Sequence, residues 1–132
     1  MKIKRILAFV FATVALVLEC LPYGAVLRFA NPDGEPWRKT YSYFDPTPFG
    51  YGNFSPLFTA ILTVLLVIML ILLFLREKEK RESSAFLLSM AASLFSVCPV
   101  TGGIHYCSPV GVASTLCLAA STALLWRKDL IK

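Results

Sequence analysis

The sequence predicts an all-α integral membrane protein with four transmembrane helices and a structured, aromatic extracytoplasmic loop between the first two. Composition, four apolar blocks near the length of a bilayer crossing, and an uneven placement of basic residues carry this reading. Of the 132 residues, 57% are hydrophobic and 16% charged, against roughly 45–50% and about 25% in soluble globular proteins. A soluble domain of this size keeps too much of its chain at the surface to bury so much apolar area. Disordered chains are poor in apolar residues, so disorder is excluded as well.

The four blocks cover about residues 6–27, 56–75, 85–104 and 110–126 of a single membrane domain. A helix rises about 1.5 Å per residue, so about 20 residues cross the roughly 30 Å hydrocarbon layer. The second block, PLFTAILTVLLVIMLILLFL, fits with no charge at all. The first follows Lys2, Lys4 and Arg5, a flank shared by signal peptides and anchors. No A-x-A site follows, and Glu19 stands where a lipoprotein signal needs a small residue before Cys20, so a retained anchor is expected. The third block is polar for a span, and Pro99, Gly102 and Gly103 should end or bend it.

Basic residues set the orientation. Lys2, Lys4, Arg5, Arg76, Lys78, Lys80, Arg81, Arg127, Lys128 and Lys132 fall on one side, and Arg28, Arg38 and Lys39 on the other. A multi-pass protein of the cell membrane with both termini cytoplasmic follows, with a cytoplasmic loop at 76–84. The net charge of +5 is this topology signal and gives no support to nucleic-acid binding. Within 76–82, Glu77–Arg81 and Lys78–Glu82 sit at helical spacing, so this run should extend the second span as a solvated helix.

The outer loop, 28–55, is not a flexible linker. It carries Phe29, Trp37, Tyr41, Tyr43, Phe44, Phe49, Tyr51 and Phe54, stiffened by Pro32, Pro36, Pro46 and Pro48. Asn31-Pro32-Asp33-Gly34 has the preferences of a type I turn, and Lys39–Phe44 is rich in strand formers. A small ordered cap results, a β-hairpin being one form open to it, with aromatics suited to the headgroup level.

In lipid, helices associate through small residues. Ala8, Ala12, Ala15 and Glu19 share one face of the first block. Ser89 and Ser93 do so on the third, and Ala113, Cys117 and Ser121 on the fourth. The second block has almost none, so blocks one, three and four should pack tightly while the second meets lipid.

Glu19 is the sharpest candidate functional residue, because an acid within a span is costly unless paired, protonated or hydrated. His105, the single histidine, is expected near the same depth; a solvated loop histidine is the favoured reading, and a Glu19–His105 pair is the other arrangement open to it. Cys98 and Cys107 enclose a short segment and are candidate disulfide partners if that segment lies outside. The chain has no paired C-x-x-C motif, no zinc-ligand spacing, no P-loop and no nucleophile elbow. Neither catalysis, a metal nor a cofactor is expected.

The stretches LECLPYGAVLRFANPDGE and KTYSYFDPTPFGYGNFSP resemble those of small four-span membrane proteins of unassigned function in bacterial genomes. The resemblance implies a bacterial inner-membrane protein and no particular activity. Small multidrug-resistance transporters share four spans and one acid in the first, but not the long aromatic loop. Membrane thiol oxidoreductases share four spans and outward cysteines, but their paired C-x-x-C motif is missing from this chain. The expected role is a non-catalytic accessory subunit or interaction module, partnered by the lipid bilayer and by a second copy or another membrane protein. A proton- or cation-coupled carrier built on Glu19 is the alternative, and a thiol oxidoreductase the third.

Overall fold

The computed structural model describes residues 2–46, 53–76 and 79–126. Four helices, α1 (Lys2–Cys20), α2 (Ser55–Leu75), α3 (Glu79–Thr101) and α4 (Pro109–Leu125), surround one interior. Two strands, β1 (Ala25–Phe29) and β2 (Trp37–Tyr41), and a one-turn 3-10 helix at Ile104–Tyr106 complete the order. Among the described residues, α2 and α3 are the helices both long and apolar enough to cross a membrane.

The helices form a ring in which each runs antiparallel to its neighbours. Cross-helix hydrogen bonds fix the directions. Ser121, late in α4, donates to the carbonyl of Ala8, early in α1 (3.2 Å). Ser96 and Ser89 of α3 meet Thr115 and Thr122 of α4 at 2.6 and 2.8 Å. The start of α1 reaches the start of α3 through Arg5 and Glu82, a two-pronged ion pair at 3.2 and 3.3 Å. The interior changes character along the ring: Leu66, Leu70, Leu73, Leu118 and Leu125 fill one half against Ala8, Ala12 and Ala15. Toward the hairpin end, the buried side chains are Glu19, Thr59, Thr63, Ser96 and Ser114.

Several expectations are corrected. The first block does not run to residue 27 as helix; α1 ends at Cys20, where Pro22 cannot continue it, and Ala25–Phe29 pairs as a strand. The antiparallel register runs from Ala25–Tyr41 to Phe29–Trp37, whose rings stack at 4.4 Å. The Asn31 side chain accepts from the Asp33 N–H at the turn expected there. The second strand starts two residues and ends three residues earlier than expected, because Ser42 and Asp45 close a turn on each other. Phe49 and Tyr51 of the aromatic loop lie outside the described residues.

Pro99 sits inside α3 rather than ending it, and the chain turns after Thr101 through Gly103 at φ 114°. Helix α2 exposes Phe58, Ile61, Leu65, Ile68 and Phe74 as a lipid-facing span would, yet it also buries Thr59, Ala60, Thr63, Leu66, Leu70 and Leu73 against its neighbours, while α1 and α3, expected to pack tightly, face each other diagonally. Among the described residues, 76 and 79–82 do not continue α2. Arg76 is extended, α3 starts at Glu79, and Arg81 donates to the carbonyls of Leu72 and Arg76, closing the end of α2. The Glu77–Arg81 and Lys78–Glu82 pairs involve residues outside those described, and Glu82 pairs with Arg5.

Candidate functional site

Two features meet at the hairpin end of the ring: a buried carboxyl and a cap locked over it. The alanine face of α1 places Glu19 inward, and its side chain is fully buried. Thr63 of α2 and Ser114 of α4 approach the same oxygen, Oε1, at 3.0 and 3.1 Å. The other oxygen, Oε2, has no hydrogen-bond partner among the described residues. Thr63 also lies 2.9 Å from the Thr59 carbonyl, and Thr59 donates to the Ser55 carbonyl. In the sequence these are the polar positions Ser55, Thr59 and Thr63, spaced by four in an otherwise apolar block. That spacing is the sign in the sequence of a polar face on α2, which small residues alone do not mark.

His105 does not pair with Glu19. It is exposed on the 3-10 turn, whereas Glu19 is enclosed by α2, α4 and the cap. Cys98 and Cys107 are free thiols: Cys98 is exposed, and Cys107 approaches the Gly103 carbonyl at 3.9 Å. Ser89, Ser93 and Ser121 all bond across or along the ring. Ala113 and Cys117 flank the buried stripe of α4, which runs Gly111, Ser114, Leu118, Ser121 and Leu125. The expected stripe on α4 is therefore rotated toward α3, because Ser114 turns inward to meet Glu19.

The cap is fastened at three points. The backbone carbonyl of Glu19 accepts from the Tyr43 N–H at 3.0 Å and the Ser42 hydroxyl at 2.9 Å, satisfying the open end of α1. Ser108 N-caps α4 by accepting from the Gly111 N–H at 2.9 Å, and its hydroxyl donates to the Gly24 carbonyl at 2.6 Å. Arg38 of β2 donates to the Cys107 carbonyl at 3.0 Å. Gly24 and Gly111 permit this closeness: a Cβ on Gly24 would lie 2.9 Å from the Tyr43 ring.

Tyr43 plugs the ring end with 3% of its surface exposed. Burial pushes its phenol up to about 12, against the pull of a hydrogen bond with Ser96. It stays a neutral donor across the physiological range. Beside it lies a cavity of about 110 Å³ lined by Val26, Leu27, Pro99, Val112 and Leu116, with the Ser96, Ser108 and Thr115 hydroxyls at its wall. Among the described residues, no group of histidine, cysteine and acidic side chains is arranged to hold a metal ion. No family model, curated protein or solved structure matches this chain.

Proposed function

We propose that this chain is a non-catalytic integral membrane protein of four crossing helices, acting as an accessory subunit or interaction module through its outer aromatic cap. One observation carries the reading: the ring is turned inside out relative to a soluble bundle. Glu19, Thr59, Thr63, Ser89, Ser96, Ser114 and Ser121 are buried, while Val10, Val17, Phe58, Ile68, Leu87, Leu94 and Leu116 are exposed. Water disfavours such a surface over a whole helix ring, and lipid favours it. Helices α1 and α4, of 19 and 17 residues, are about 28 and 25 Å long. Both fall in the range of about 17–25 residues that suits a crossing.

With Lys2, Lys4 and Arg5 at one end of α1 and the basic residues after α2 beside them, the termini are cytoplasmic and the hairpin extracytoplasmic. The resemblance to bacterial four-span proteins fits an inner-membrane location. The exposed Trp37 and Tyr23 offer amphipathic rings at the headgroup level or to a partner. The test is carbonate extraction followed by purification in mild detergent, with the mass of the intact assembly read. A membrane-retained chain with a stoichiometric partner or second copy supports the reading. Release by carbonate, or a strictly monomeric retained chain, overturns it.

A second reading, a proton-coupled small-solute carrier, is favoured by the buried and half-partnered carboxyl of Glu19. Proteoliposomes that move no solute down an imposed pH gradient would remove it.

A further inference from the structure

We infer that Glu19 is a proton-binding site, held as a neutral carboxylic acid that donates to the Thr63 hydroxyl on α2. The inference rests on the bundle's immersion in lipid and holds whether or not a solute moves.

The geometry of donors and acceptors carries it. A threonine hydroxyl has one proton to give. The Thr63 hydroxyl lies 3.0 Å from Glu19 Oε1 and 2.9 Å from the Thr59 carbonyl. If Glu19 were an anion, both neighbours of the Thr63 hydroxyl would be acceptors and its single proton could serve only one, the Thr59 carbonyl keeping its helix bond from the Thr63 N–H in either case. A proton on Oε1 resolves the conflict: Glu19 donates to Thr63, Thr63 donates to the Thr59 carbonyl, and Ser114 donates to Oε1. Thr59 in turn donates to the Ser55 carbonyl at 2.9 Å, so each hydroxyl of this face ends on a helix carbonyl and the proton is held at Glu19 rather than passed along α2.

The surroundings agree. The side chain is fully buried, and Oε2 has no partner among the described residues. A bare carbonyl oxygen of a neutral acid is a smaller burden there than a bare carboxylate oxygen. The groups facing Glu19 are neutral from every packed element: Thr63 from α2, Ser114 from α4, and Tyr43 of the cap, which stays protonated. The ion pair that joins α1 to α3 involves Glu82 instead.

The test is infrared spectroscopy of the full chain in phosphatidylcholine nanodiscs, at neutral pH, in choline buffer and again in sodium buffer. A protonated-carboxyl band is expected in both buffers, shifted by deuterium oxide and missing in Glu19→Gln. Glu82 is salt-bridged and the remaining described acids are exposed, so none supplies a competing band. If Glu19→Gln fails to assemble, Thr63→Val serves: loss of the acceptor moves the band in frequency. No band in the wild type overturns the inference, as does one that vanishes when sodium replaces choline, which makes the site an alkali-cation site. A chain that never enters the nanodisc refutes the lipid reading itself, an outcome distinct from an inserted chain without the band.

Discussion

Gly111→Ala tests how the cap is seated. A Cβ there would lie 2.9 Å from the Gly24 carbonyl oxygen, 3.1 Å from the Ser108 hydroxyl and 3.1 Å from the Tyr43 hydroxyl. Ordinary contact begins near 3.4 Å, so the nearest neighbour must yield by about 0.5 Å. That neighbour is backbone and cannot rotate aside, and Tyr43 is buried and held by its N–H on the Glu19 carbonyl. Overpacking of this kind costs about 1–3 kcal/mol. Pushing Gly24 away also stretches the 2.6 Å Ser108–Gly24 bond, worth about 1 kcal/mol more.

A total near 3 kcal/mol corresponds to a drop of roughly 10 °C in a chain of this size. Thermal unfolding in mild detergent reads it, with trypsin cleavage at Arg28, Arg38 and Lys39 reporting release of the cap. Gly34→Ala is the control, since its Cβ would meet only the Asn31 side chain at 3.3 Å, on an exposed turn. An unchanged midpoint and cleavage pattern in Gly111→Ala would refute the close approach of hairpin and α4.

Other consequences follow from the same contacts. Arg5→Gln and Glu82→Gln should each cost about 2–3 kcal/mol, because each strands a largely buried charge. The double variant should cost less than their sum, which a thermodynamic cycle measures. Tyr43 brings an alkaline instability: its folded value near 12 lies above the ordinary 10. Unfolded chain therefore loses the proton first, and stability falls as pH rises from about 10 to about 12, by about 2–3 kcal/mol. In Tyr43→Phe that alkaline loss should shrink by this amount, at a neutral-pH cost of about 1 kcal/mol for the lost Ser96 bond. Ser108→Ala removes both an N-cap and a tie to Gly24, and should cost about 1–2 kcal/mol in the same melts.

The helices were legible in the sequence because each required only a run of apolar residues and a stop. The end of α1 was not, since Leu21 and Ala25–Leu27 are as apolar as a span; Pro22 and the pairing with β2 decide it. The inward turn of Glu19 was legible from Ala8, Ala12 and Ala15, which step around one face to meet it. Its partners were not, because Thr63 and Ser114 lie 44 and 95 residues away and meet it only once the ring closes. The surface position of His105 was legible from its place between two blocks, and it lies exposed on the 3-10 turn between α3 and α4. Small residues misled on α2: its inward face is built of threonine and leucine, which fill the ring rather than bring backbones together.

In the proposed topology all four helices cross the membrane, with the hairpin on one side and both chain ends on the other. Single-cysteine variants at Lys2, Asn31, Glu79, His105 and Trp126, made in a cysteine-free background and labelled with a membrane-impermeant maleimide, test it directly. Labelling of Asn31→Cys and His105→Cys from outside, and of the other three only from inside, is the predicted result. If Lys2→Cys and Trp126→Cys react on the same side as Asn31→Cys, only α2 and α3 cross, and the four-span account is wrong.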